Sequence, residues 1–329
     1  MNARPIRNTI VSAASLAMLT GCSGTRTAAD PKGPSDEAAA RMLEHVRVLS
    51  SDEFEGRAPG SRGEDLTVEY LEKELRALGV EPGNPDGTFV QRVPLLGFTT
   101  RATVELTTPA GRLDLSPGQD VMLVSRRQVP ETRVDSSPLV FCGYGVVAPE
   151  YGWDDFAGID VRGKTIVVLV NDPPVVDPAK AGALDDAMFR GRAMTYYGRW
   201  TYKYEIAAEK GAAAVIIVHE DGPAGYPWEV VSGSWGRENF DLVAADGNAG
   251  RPAIEGWITR AKAAELLAAS GQDLDALKAR AAQRGFRPVE LDARAVFTAR
   301  NEMRRVESRN VIARLPGSDP ARAGQHVLY

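Results

Sequence analysis

Histidine is nearly missing from this chain. Three occur in 329 residues, His45, His219 and His326, and no two stand at a metal-ligand spacing. His219-Glu220 opens like a metalloprotease helix, but Asp221, Gly222 and Pro223 follow, with no second histidine one turn on. Each histidine therefore reads first as structural. Cysteine is rarer: Cys22 and Cys142 leave room for one disulfide at most. There is no GxSxG elbow and no Walker loop, so the usual marks of a serine hydrolase and a P-loop NTPase are absent. Positive charge is not in excess. The net charge of −5 draws the chain as a whole to no nucleic acid.

What is present is ordinary for a globular protein: 43% hydrophobic and 25% charged residues, at a length suited to about two domains. The first residues are not fold. Arg4 and Arg7 precede a short apolar run at 9–19, roughly half of what a membrane-spanning helix needs. This pattern predicts an export signal over residues 1–21. It ends Leu19-Thr20-Gly21-Cys22, which resembles the bacterial lipoprotein box. The resemblance implies that Cys22 becomes the lipidated first residue. It also implies a cell-envelope protein held by its lipid anchor, with Ser23 pointing to the outer membrane. Acyl chains in the plural give firm anchoring. Residues 22–35 then read as a polar tether.

Ser35 can cap a helix whose Ala39, Met42, Leu43, Val46 and Leu49 share one face. Residues 55–63 are Gly-, Pro- and Ser-rich and read as a loop. Val68, Leu71, Leu75 and Leu78 mark a second amphipathic helix, stopped by Gly79. Strands are expected at 89–93 and 102–106. From residue 138 the pattern alternates. It predicts strands at 139–144 and 165–170, a helix at 202–210 and a buried strand at 213–218. A Gly- and Trp-rich loop at 220–240 follows, then helices at 259–270 and 274–284, then strands at 295–300 and 310–315. Residues 325–329 read as the opening of a further strand. Alternating strands and helices place the chain in the α/β class.

No complete catalytic constellation emerges from the residues themselves. Gly143, Gly145 and Ala148 match a GxGxxA fingerprint, but Pro149 and Gly152 break the helix it requires, so a tight turn is expected. Asp154-Asp155 and Asp185-Asp186 are adjacent carboxylates that point opposite ways in extended chain, and they read as solvated or capping. Cys142, in "PLVFCGYG", reads as a buried, inert thiol. Tyr226, Trp228 and Trp235 either pack within their own region or line a site. Arg300, Arg304, Arg305 and Arg309 fall on an alternating pattern and read as a solvated strand face.

Three stretches carry a family resemblance. "LSSDEFEGRAPGSRGEDLTVEYLEKELRALGVEPG" resembles the entry segment of zinc-dependent exopeptidases of the aminopeptidase and glutamate-carboxypeptidase type, through Leu49, Asp52, Glu55, Gly56, Arg57, Gly60, Leu78 and Gly79. "GYGVVAPEYGWDDFAGIDVRGKTIVVLVNDPP", with "YEIAAEKGAAAVIIV", resembles the protease-associated domain inserted in such enzymes. Asp155, Gly158, Asp160, Val161, Gly163, Lys164 and Pro173 carry that match, with Ala207, Gly211 and Ala212. "SRNVIARLPG" resembles the return into their catalytic sheet.

The resemblance implies an α/β fold in two parts. Residues 36–137 and 295–329 would belong to an incomplete peptidase sheet domain, and 138–294 to the protease-associated insert. It implies a peptide substrate and two zinc ions sharing an activated water. The family's first ligand pair, a His-x-Asp, follows the strand expected at 325–329, and His326 lies at the wrong end of that strand. No zinc ligand and no catalytic residue are therefore carried over onto this chain. The expectation is the front part of an exported zinc exopeptidase. The alternative is a non-catalytic surface lipoprotein that binds peptides or proteins.

Overall fold

The computed structural model describes residues 35–328. Cys22, the export signal and most of the tether lie outside them. The chain divides into two compact units, one ending at Glu53 and one running from Phe54. In the first, helix α1 spans Asp36–Leu49. Ser35 caps it as expected, its Oγ accepting from the Ala38 amide at 3.2 Å. None of its residues is buried, and Met42, Leu43 and Val46 remain exposed.

The second unit is built on one mixed sheet of nine strands. They are β1 (Val90–Thr108), β2 (Gly111–Leu113), β3 (Val121–Val124), β4 (Glu131–Phe141), β5 (Thr165–Leu169), β6 (Ala214–His219), β7 (Asn239–Leu242), β8 (Ile254–Thr259) and β9 (Val289–Val311). Their order is β7-β1-β9-β4-β5-β6-β8-β3, with β2 paired to β1. β4, β5, β6 and β8 run parallel, and the remaining pairings are antiparallel. The sheet curls, so that β3 at one end lies near β1.

β1 and β9 pair without interruption from Val90↔Val311 to Thr107↔Arg294. The four short strands expected here are thus two long ones. Along β9, Leu291, Ala293, Ala295, Phe297 and Ala299 are buried while Glu290, Asp292 and Arg300 alternate outward, the period-2 pattern of a sheet with one wet face. β5 and β6 are buried at every position, so both faces are covered and the sequence there is a continuous apolar run.

Helices α2 (Arg62–Ala77), α3 (Trp200–Glu209), α4 (Asp221–Ala224), α5 (Trp228–Trp235), α6 (Arg260–Ala269) and α7 (Leu274–Ala281) complete the unit. The stretch expected to be a loop at 220–240 therefore holds two helices and a strand. Pro223 is accommodated because it sits in the first turn of α4, where its missing amide would have no helical partner. At α2, Ser61 caps the helix and the chain packs closely: a Cβ on Gly63 would stand 2.0 Å from the Phe54 carbonyl oxygen. Residues 325–328 adopt no regular structure, unlike the strand expected there. Glu81–Pro82 pairs instead with Ala313–Arg314.

α2 is tied to the end of β9 through one carboxylate. Glu64 is buried and accepts from Ser308 Oγ at 2.6 Å, from the Arg309 amide at 2.9 Å, and from the Gly60 amide. Burial works against its charge, yet these bonds and the Arg309 guanidinium hold its carboxyl below the ordinary value.

Candidate functional site: the carboxyl ends of the parallel strands

Sites in open α/β sheets form in the loops beyond the carboxyl ends of parallel strands. Here those loops hold a concentration of buried ionisable groups. After β4 comes the turn at Gly143 to Gly145, closed by the Gly145 amide on the Cys142 carbonyl at 2.8 Å, with Gly143 and Gly145 both left-handed. The tight-turn reading of GxGxxA thus describes it. After β5 comes Asn171-Asp172, after β6 His219-Glu220-Asp221, and after β8 the Thr259 cap of α6.

Lys203 of α3 joins several of these loops. It is fully buried, and its Nζ donates to the carbonyls of Tyr144 at 2.6 Å, Tyr197 at 2.7 Å and Asn171 at 3.1 Å. Three acceptors match the three N–H bonds of an ammonium. Burial pushes the lysine down to about 7, with Asp172 and Asp155 opposing that shift. Burial likewise pushes Asp155 up to about 7, against bonds from the Val146 amide at 3.0 Å and Trp153 Nε1 at 2.8 Å. Asp172 is also raised by burial, while accepting from the Thr195 amide and hydroxyl.

The expectation that Asp154 and Asp155 are both solvated is therefore half right. Asp154 is exposed and caps the Phe156 amide, but Asp155 turns into the core. Its bonds come from Trp153 and Val146, two and nine residues away, and what a local reading misses is the burial that the fold imposes on it. Asp185 stays near the surface and caps the Ala187 amide.

His219 ends β6 at the rim of a cleft of about 400 Å³ lined by Glu220, Asp221, Trp228, Thr259 and Arg260. Its imidazole is buried against the rings of Tyr226, Trp228 and Trp257. Nδ1 lies 3.4 Å from Asp221, and Nε2 has no hydrogen-bond partner. Burial lowers its basicity, with the nearby Asp221 carboxylate opposing that shift. The charges around the cleft pair with one another: Glu220 with Lys278 and Arg260, and Arg260 with Asp275. Of the aromatic residues, Tyr226 and Trp228 pack on His219, and Trp228 also lines the cleft. Trp235 is buried against Trp200, Tyr204 and Trp257.

The remaining singled-out residues are scattered. His45 belongs to α1, and His326 is exposed. Cys142 is free and fully buried, and burial raises its thiol well above the ordinary value, which makes it inert. Arg300, Arg304 and Arg309 pair with Glu131, Glu238 and Asp65, as a solvated strand face would. Among the described residues, no three His, Cys, Asp or Glu side chains converge on a point where a metal could sit. A two-zinc centre does not fit the donors present among the described residues.

No protein-family model matches the chain, and no curated protein matches it by sequence. Among solved structures, an aminopeptidase from Aneurinibacillus sp. strain AM-1 is similar over 86% of this chain and 49% of that one, at 20% identity and a TM-score of 0.35. The chain therefore spans about half the length of that protein.

Proposed function

We propose that the protein is the N-terminal part of an exported, lipid-anchored zinc exopeptidase, most simply an aminopeptidase that removes terminal residues from peptides. In this reading residues 138–294 are a protease-associated insert that shapes the mouth of the site. Residues 36–137 and 295–329 belong to the peptidase sheet, and Cys22 carries the lipid that holds the protein in the cell envelope. One observation carries the reading. Glu64, within the first motif-bearing stretch, binds Ser308 and Arg309, which open the third. Two segments that resemble the exopeptidases, about 240 residues apart, are adjacent in space, as parts of one domain interrupted by an insert would be.

The zinc ions would be bound by residues other than 35–328, since the donors there do not converge. Reading the coding DNA past the codon for Tyr329 tests this. A His-x-Asp within a few codons, and a product with two zinc ions that cleaves aminoacyl-nitroanilides, is the expected result. An in-frame stop at that point, with a zinc-free, inactive product, would sink it. The lack of a metal cluster among the described residues favours a second reading, a non-catalytic surface lipoprotein that binds peptides or proteins. That second outcome is the one it requires.

A further inference from the structure

The segment between β5 and α3 is long and is held mainly by hydrogen bonds within its own turns. Residues 173–194 contain no helix and no strand beyond a single bridge between Val176 and Leu184. Loops of this length inside a compact unit are uncommon and usually do something. At its base, Asp172 grips the Thr195 amide at 2.7 Å and the Thr195 hydroxyl at 2.8 Å. Between these ends most residues are exposed or half-exposed. From residue 174 to 197 only Met188 and Phe189 are buried.

Those two side chains are the segment's anchor. Phe189 is fully buried, with its ring centroid 4.6 Å from that of Tyr151, 5.4 Å from Trp153 and 6.1 Å from Tyr197. Arg284 spans the joint, donating to the Tyr151 carbonyl at 2.6 Å and to Met188 Sδ at 3.0 Å. The backbone at this anchor is unfavourable. Phe189 and Arg190 have φ of 48° and 57°, left-handed values that bulky side chains avoid, and Gly191 follows at 61°. Gly191 also packs closely: a Cβ there would press on Asp186 Oδ1 and make that side chain swing away. A buried ring thus holds strained backbone in place, an arrangement that persists only where the surroundings over-determine it.

We propose that residues 173–194 form a strap over the carboxyl end of β5, latched shut by the Phe189 ring and sprung by the left-handed backbone at Phe189 and Arg190. When the ring leaves, the strap opens about Asp172 and Thr195 and uncovers Tyr151, Trp153 and Tyr197. The strained backbone makes opening easier than the buried contacts alone would allow. This holds whatever reaction the protein serves.

Amide hydrogen exchange on the whole protein tests the latch. In Phe189→Ala, amides of 174–193 should exchange about tenfold faster or more, while those of β5 and β6 keep their protection. In Arg190→Gly, which keeps the ring and relieves the backbone, the same strap amides should exchange more slowly than in the unaltered protein. The idea is overturned if strap and β5 amides accelerate together in Phe189→Ala, or if the strap is unprotected in the unaltered protein. It is equally overturned if Arg190→Gly speeds exchange. Should Phe189→Ala not fold, the Arg190→Gly result decides alone.

Discussion

Two parts of the second unit solve the same problem differently. Along β5, β6 and β8, within residues 138–294, the sheet is covered on both faces and charge is taken inside. Lys203, Asp155, Asp172 and Glu255 are buried among polar partners, those of Lys203 supplied by three separate segments. In residues 54–89 and 308–328 little is buried. α2 hides only Gly63, Glu64 and Val68, and Leu78 and Leu315 are 74% and 81% exposed. Ion pairs there, such as Arg314–Glu81 and Arg62–Glu55, lie in water, where they contribute little. The contrast teaches that the inner part is held by burial and several internal polar joints, whereas the outer part has, among its described residues, one buried charged joint, Glu64. Removing a joint should therefore cost most inside, less at Glu64, and least on an uncovered helix face.

The largest effect is expected at Lys203. Lys203→Ala strips three carbonyls of their donor and leaves Asp155 and Asp172 without a counter-charge. A loss of about 3–5 kcal/mol is expected in urea unfolding, typical of breaking one side of a buried charge arrangement. Lys203→Met restores the volume but not the donors, so it should recover little of that loss. Full recovery by methionine would mean that packing, not the carbonyl joint, holds these loops, and the contrast drawn above would lose its polar half.

Glu64 comes next. Glu64→Gln keeps the shape but cannot accept on both oxygens, which now serve Ser308, Arg309 and Gly60. About 1–3 kcal/mol should be lost, the usual cost of a donor left unsatisfied. The pH dependence has a definite sign. The folded carboxyl is held below its ordinary value of 4.5, so its contribution is complete above that value and is lost as pH falls through the lower folded value. Relative to the intrinsic exchange rate at each pH, protection of the Arg309 amide should fall on acidification in the unaltered protein and stay flat in Glu64→Gln. Equal acid sensitivity in both would remove Glu64 from its role.

How much of this was legible in the sequence follows the same division. Periodicity found β5, β6, α2 and the caps at Ser35 and Gly79, because burial and capping leave local marks. It split β1 at Pro94 and Gly97, which read as breakers, and β9 at the charge-rich stretch 302–309, and only the pairing of one strand with the other makes each continuous. It missed α5 because Trp228–Trp235 is rich in Gly, Ser and Trp, yet Trp235 is recruited by Trp200, Tyr204 and Trp257 from distant segments. The candidate site was least legible. Lys203 looks like any helical lysine, and nothing beside it in sequence announces the carbonyls of Tyr144 and Asn171. His219 drew notice for a motif it does not complete, and what sets it apart, an imidazole wrapped by three aromatic rings, is a product of the fold.

The smallest effect belongs to α1. Its apolar face, Met42, Leu43 and Val46, is 58–63% exposed, so truncating it removes little from any packed interior. Leu43→Ala should change stability by no more than about 0.5 kcal/mol, as for other surface positions. Alanine is also the better helix former, which offsets part of any loss. Thermal unfolding of the pair of proteins measures it. A loss of about 2 kcal/mol or more would place Leu43 in a packed interior, since that is the cost of emptying a core leucine site. The first unit would then owe its stability to a covered helix face, and α1 would no longer mark the bottom of the scale that Lys203 and Glu64 head.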